Sequence, residues 1–346
     1  MASQNEPGRS VGAMMFKRVI RWTGLTVITI AILLAGLWCT LALWYRLPGP
    51  QILHGIAAGL MIALTVASGV LLWTRSWPAI ALYALVFGVI CIWWSTILPS
   101  NKRNWMPDVA RNVTFKINGD QLTVNNLRNF NWRSDTDFDE KWEQRSYDLV
   151  ELSNVDLVMS YWAGEAIAHT IVSFGFENGE RLDFSIETRK EKGQAYSTIS
   201  GFFKEYGLVI IAADERDVVR VRSNIRGEDV RIYRVRMPPA QARRLLLAYA
   251  NAANSLAVKP AFYNTLTANC TTLIYRLVVQ VDPGVHWDPR ILINGYLPNY
   301  LYSLGALDNR IPFDQLRTAA RIHDKALQAG DDPNFSTQIR VGIPTP

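Results

Sequence analysis

An α+β domain following three membrane-spanning helices is the fold that the sequence predicts. Three observations predict it. About the first hundred residues hold three apolar runs, each near the roughly 20 residues that cross a bilayer as a helix. The remainder mixes charged residues with alternating apolar segments broken by Asn-Gly pairs, the signature of antiparallel hairpins. Two later segments switch to helical spacing.

The apolar runs extend from about Trp22 to Trp44, Ile52 to Trp73 and Trp77 to Leu98. Trp22, Trp44, Trp73, Trp77, Trp93 and Trp94 lie near their ends, where interfacial indoles belong. The first run is too long for a signal-peptide core and two more follow, so it reads as a retained anchor. Gly55 and Gly59 form a small-xxx-small pair that lets helices approach; chance produces the same pair in a Gly/Ala-rich span. Arg9, Lys17, Arg18 and Arg21 precede the first span against one acid, Glu6, which places residues 1–21 in the cytoplasm by the positive-inside rule. Three spans over 22–98 then carry residues 101–346 to the periplasmic side of the inner membrane, with Lys102 and Arg103 weighing the other way. Cys39, Cys91 and His54 lie in or beside the spans and read as apolar fillers and an interfacial residue.

The chain has 346 residues, 49% of them hydrophobic, and a net charge of +6. No dense basic run with interleaved aromatics occurs, which argues against nucleic acid as a partner. No cofactor or metal is expected.

In the outer region, "VTFKINGDQLTV" and "AHTIVSFGFENGERLDFSIETR" read as hairpins. The second, joined at Asn178-Gly179, suits a two-residue type I′ turn. That register sets Glu177 opposite Glu180, Ile171 opposite Ile186 and His169 opposite Thr188, and turns Glu187 to the opposite face. "LVIIAADERDVVRVRS" and "EDVRIYRVRM" read as further strands. A helix is expected from about Ala240, a second over "NCTTLIYRLVVQV", and a short one near Phe313 to Ala329 in an otherwise loop-like tail. The stretch 216–244 holds nine Arg; it reads as a solvated strand face with ion pairs, or else as a surface for phospholipid headgroups.

Cys270 is the outer region's one cysteine. Thr267 and Asn269 are N-cap types, and Leu273, Ile274, Leu277, Val278 and Val281 mark one helical face, so the thiol falls in a first turn. Partial positive charge there favours thiolate, and the free N–H groups of Cys270 and Thr271 could hold an oxyanion. The alternative is a buried apolar cysteine. Asn269 reads first as the cap and second as a group that orients a base. Among His169, His286 and His323, His169 lies at the end of a core-facing row, as a base aimed at a packed helix or as a plain core histidine.

The segments "NLRNF", "AHTIVSFGF", "SIETRKEKGQAYS", "ADERDVVRVRS", "IYRVRM" and "FYNTLTANCTT" occur in the order found in the DUF4105 family, the periplasmic domain named for the lipoprotein N-acyltransferase Lnb. The resemblance covers about Asn104 to Val281. In the namesake the membrane part follows the domain; here it precedes it. The resemblance implies a papain-like thiol enzyme, permuted so that His comes before Cys, with Cys270 as nucleophile and His169 as base. It implies a phospholipid acyl donor and a lipoprotein amine as acceptor. The reading is thus a membrane-anchored acyltransferase of the cell envelope. The alternatives are a cysteine amidase or peptidase of the envelope, and a non-catalytic envelope module.

Overall fold

The computed structural model describes residues 7–346 and divides at Leu98/Pro99 into two compact units. Residues 1–6, including the Glu6 of the charge count, lie outside the described residues.

The first unit is α1 (Pro7–Arg46), α2 (Gln51–Trp73) and α3 (Trp77–Thr96). Each contains a stretch long and apolar enough to cross a membrane. Leu34, Leu60 and Ile92 are among the apolar side chains on its outer surface. Lipid removes the hydrophobic drive between helices, so close packing and polar links must join them. Tyr83 Oη donates to the Ile32 carbonyl at 2.7 Å, and Trp73 Nε1 donates to Thr29 Oγ1 at 3.1 Å. Gly55 and Gly59 do not serve as a helix contact, since a Cβ added at either would meet nothing within 4 Å. The close approach is at Gly36, where a Cβ would run into the Thr65 side chain. His54 Nδ1 lies 2.9 Å from the Trp44 carbonyl, one of the orphan acceptors at the end of α1.

The second unit carries ten strands: β1 (Thr114–Asn118), β2 (Gln121–Arg128), β3 (Asn131–Trp132), β4 (Phe138–Asp139), β5 (Trp142–Asp148), β6 (Leu152–Tyr161), β7 (Ala168–Phe176), β8 (Arg181–Arg189), β9 (Gly207–Ala213) and β10 (Asp229–Val235). The main sheet runs β1-β2-β9-β8-β7-β6-β10 with β5 beside β2, and β3 and β4 form a separate hairpin. The sheet is antiparallel apart from one parallel contact between β2 and β9. Alternation along each strand gives it two apolar faces. On one, Val172, Phe174 and Phe184 pack against α5 (Pro239–Val258) and α6 (Cys270–Val281) through Leu245, Tyr249 and Ile274. On the other, Val158, Ile171 and Ile211 pack against α4 (Glu215–Val218), α9 (His323–Ala329) and α10 (Phe335–Gln338). α7 (Leu297–Ser303) and α8 (Phe313–Ala319) cover Leu157, Met159 and Tyr233.

Two segments depart from the sequence reading. After β9 the chain does not stay extended. Asp214 accepts the Arg216 N–H at 3.0 Å and caps α4, and a π-helical turn follows over Val221–Ile225. The local cap outweighs the β-branched run that suggested a strand. The tail is not loop-like with one helix, because α7 to α10 are four short helices with buried faces.

The β7–β8 hairpin is real, but its loop has three residues rather than two. Phe176 N–H donates to the Glu180 carbonyl at 3.1 Å, and Gly179 N–H donates back to Phe176 at 3.0 Å. Gly179 sits at φ +87°, the left-handed position that closes a three-residue loop with a bulge. The register is therefore Ile171↔Ser185 and Gly175↔Arg181, one residue from the two-residue expectation. A slip of one turns every side chain over, so Glu187 shares a face with His169.

Candidate active site

Cys270 is the first residue of α6, as its sequence context predicts. Asn269 Oδ1 accepts the N–H groups of Thr271 (3.0 Å) and Thr272 (2.8 Å), and Thr272 Oγ1 accepts the Asn269 N–H at 3.0 Å. This capping box fixes the helix start. It also corrects one expectation: the Thr271 N–H is taken by the cap and is not free for an oxyanion. The Cys270 N–H has no partner among the described residues and remains available.

His169 starts one residue into β7, on the Ile171 side of the sheet, whereas α6 packs on the Val172 side. The two meet because the β7–β8 ladder stops at Ile171↔Ser185. At this unpaired end His169 Nε2 donates to Ser185 Oγ at 2.6 Å, and Ser185 donates to Glu187 Oε1 at 2.6 Å. Glu187 Oε1 lies 3.4 Å from Nε2 and accepts from Arg222 at 2.8 Å. With Nε2 engaged, Nδ1 is the ring nitrogen left for the thiol.

Burial opposes a charged imidazole, yet the Glu187 charge and hydrogen bonds from Glu187 and the thiol outweigh it. His169 is held up at about 9. Burial likewise opposes a thiolate, but the hydrogen bond and charge of His169, with help from Thr271 and the Thr170 N–H, pull Cys270 below its ordinary value. Glu187 is held well below the carboxylate range, because the His169 and Arg222 cations overcome its burial. Both shifts favour the thiolate–imidazolium form of the pair.

Sequence reasoning missed Glu187, Ser185, Arg222 and Asn294. Arg222 is a buried member of the π-helical turn, not part of a solvated strand face. Asn294 lies in what read as loop. Its Oδ1 accepts the Ala168 N–H at 3.0 Å, while Nδ2 donates to the Ala168 carbonyl at 2.5 Å and to Thr271 Oγ1 at 2.9 Å, and lies 3.7 Å from Cys270 Sγ. One amide thus ties the start of β7 to the start of α6. Gly295 lets this loop approach, since a Cβ there would overlap the Glu165 carbonyl. His286 and His323 lie away from the thiol, outside the cavity it lines.

Cys270 and His169 open into a cavity of about 600 Å³. Trp132, Phe138, Trp162 and Tyr196 supply apolar wall, and Lys190, Arg226 and Glu228 supply charge. Trp132 and the Phe130 backbone are fixed by the buried Asp217 carboxylate, which accepts Trp132 Nε1 at 2.8 Å and the Phe130 N–H at 2.9 Å and pairs with Arg128 at 2.8 Å. No group of three or more His, Cys, Asp or Glu side chains is placed to hold a metal among the described residues.

No curated protein and no solved structure matches the chain. Residues 138–302 match the family model described as the Lnb N-terminal periplasmic domain, a span that holds His169, Glu187, Arg222, Cys270 and Asn294. Together with the three apolar helices, this describes a membrane protein with a periplasmic domain. The segment that carries the thiol and the imidazole is thus similar to the Lnb N-terminal periplasmic domain family.

Proposed function

We propose that the protein is a membrane-anchored thiol acyltransferase that acts on lipids or lipoproteins of the cell envelope. The observation that carries this reading is the half-buried Cys270–His169 pair, in which the thiol is shifted down and the imidazole up, opening into a cavity with both apolar and charged walls. Such a cavity suits an amphipathic substrate. Trp162, Ile167, Tyr196, Ile293 and Tyr296 are exposed on or next to the site residues, and exposed apolar surface of this kind marks contact with lipid or partner.

In the first half-reaction the Cys270 thiolate attacks the carbonyl carbon of an acyl ester in a phospholipid. The C–S bond forms and the carbonyl electrons move to oxygen, where the Cys270 N–H donates to the oxyanion. Collapse breaks the ester C–O bond, and the imidazolium of His169 gives its proton to the departing alkoxide. In the second, a lipoprotein amine attacks the thioester and neutral His169 takes the amine proton. The amide forms and the sulfur leaves as thiolate beside a restored imidazolium. Glu187 stabilises the imidazolium, and Asn294 holds the strand that carries it. With His before Cys in the chain, the proposed arrangement is a permuted papain-like one.

The test is mass analysis of the envelope lipoproteins, with trapping of the acyl-enzyme, in wild type and Cys270→Ser. The expected result is a thioester at Cys270 and N-acylated products that disappear in the variant. Cleaved peptide stems with no acyl-enzyme would favour the amidase reading instead. The placement of the domain on the periplasmic face of the inner membrane is tested by a reporter fused after Pro346; activity only when the reporter is exported is the expected outcome, and cytoplasmic activity would overturn the setting.

A further inference from the structure

A second cavity lies on the other side of Thr271 from the thiol, between α6, α7 and the sheet. Its volume is about 140 Å³. Leu157, Val172, Leu245, Ile274, Tyr275 and Leu301 are among the side chains that line it. Apolar cavities of this size, on the order of 150 Å³, stay dry and accept hydrocarbon ligands. Water gains nothing here, because almost no polar group faces inward.

The mouth is different. Three charged residues border the cavity: Asp156, Asp282 and Arg236. Asp156 is already matched by Arg181, Arg234 and Arg340. Asp282 accepts from Gln241 at 3.1 Å and from the Gly284 N–H at 3.0 Å. Arg236 is exposed, and its guanidinium has no hydrogen-bond or ion-pair partner among the described residues. It also borders an adjoining cleft of about 390 Å³, which shares Val235, Arg236 and Met237 with the cavity and is lined further by Ser153, Asn154, Arg234, Pro238, Thr345 and Pro346. An apolar hole therefore runs into a wet cleft with a cation at the junction that makes no direct ion pair, although its charge also acts on Asp308.

We propose that this pair of cavities binds an anionic amphiphile, with the end of its alkyl chain in the apolar hole and its acidic head on Arg236 in the cleft. The ligand class follows from the order of surfaces: hydrocarbon first, then a single positive charge. A carboxylate and a phosphate head share this chemistry. The site is separate from the Cys270 cavity and does not depend on the acyltransfer reading, although Thr271 forms a wall of the one and touches the thiol of the other at 3.7 Å.

The test uses the full chain in phosphatidylcholine nanodiscs with a palmitate analogue that carries a diazirine near the chain end. After irradiation, mass mapping is expected to place labels on the peptides containing Ile274–Val278 and Leu301–Leu304. Ala306→Trp, which fills the mouth, is expected to lower that labelling about tenfold, equivalent to about 1.4 kcal/mol. Leu304→Asp, on the exposed rim, is expected to lower it without touching the core. Arg236→Ala should lower it about threefold or more, as loss of a single exposed charge contact does. Cys270→Ser should leave it unchanged, and loss of labelling there would overturn the separateness of the site. Competition with palmitate against lysophosphatidate identifies the head; dodecanol competing as well as either would overturn the anionic assignment. Labelling that ignores both Ala306→Trp and Leu304→Asp would overturn the site.

Discussion

Asp183 and Glu187 lie on the same face of β8, four residues apart, and both are carboxylic acids within the fold. Their states are opposite. Glu187 accepts hydrogen bonds from Ser185 and Arg222 and faces His169, and it is held ionised. Neither Asp183 oxygen has a hydrogen-bond partner among the described residues. Burial, then the charge of Glu215, push it well above the carboxylate range. The nearby Arg340 is spent on Glu215 at 2.5 Å and on Asp156 at 2.7 Å. Burial alone therefore does not decide whether an acid ionises; an uncommitted cation within reach does. β8 faces one such cation pair, His169 and Arg222, at its unpaired end and none at its ladder end, and the proposed chemistry lies at the former.

The largest expected effect comes from removing the groups that Glu187 serves. Cys270→Ala should abolish turnover with the fold intact, as judged by thermal melting and product assay. His169→Ala should cost roughly 10²–10⁴-fold in kcat, the usual contribution of a general base. An alkylating probe at pH 7 should label Cys270 in the native protein and label it more slowly in His169→Ala. Equal rates would break the comparison, because the thiolate would then owe nothing to the ring.

Next is Glu187→Gln. Without the carboxylate charge the imidazolium loses its main support, so its pKa falls from about 9. The alkaline limb of kcat/KM, set by loss of the imidazolium proton, should move to lower pH. The rate at neutral pH should drop roughly tenfold or more, short of the 10⁴ that losing the carboxylate costs a serine triad, where no ion pair pre-exists. The stability linkage has the same sign. A histidine whose folded pKa is raised contributes fully below its unfolded value near 6.5 and loses that contribution as pH rises through about 9. Wild type should therefore lose more stability than Glu187→Gln over that window, measured by urea melts at several pH values.

The smallest effect belongs to Asp183→Asn. Activity should not change. Asp183 stays protonated in the fold while the unfolded chain ionises, so the native state loses stability as pH rises above the unfolded carboxylate value. The amide carries no such penalty. The variant should melt higher than wild type at pH 7, with the gain shrinking toward pH 4; about 1 kcal/mol moves Tm by roughly 2–4 °C at this size. A lower Tm at pH 7 would mean that Asp183 is ionised and matched, and the contrast with Glu187 would fall.

How much of this was legible depended on the range of the cause. The spans, the capped start of α6 and the core row of β7 follow from local pattern, and so His169 and Cys270 stand out in the sequence. Glu187 did not, because its face hangs on one residue of loop length: "FENGE" fits a two-residue turn by composition and folds as a three-residue one. Arg222 was hidden by a β-branched run that Asp214 turns into helix. Asn294 had no signal at all, since its partners Ala168 and Thr271 lie 126 and 23 positions away.

The Asn294 clamp bears on how the molecule can be cut. A fragment that ended with α6 at Val281 would retain the sulfur, the ring and the carboxylate in its sequence. It would still lack the one amide that pins the first residue pair of β7 to the first turn of α6. The smallest excised piece that preserves the geometry must therefore run beyond Gly295, well past the thiol of the proposed chemistry.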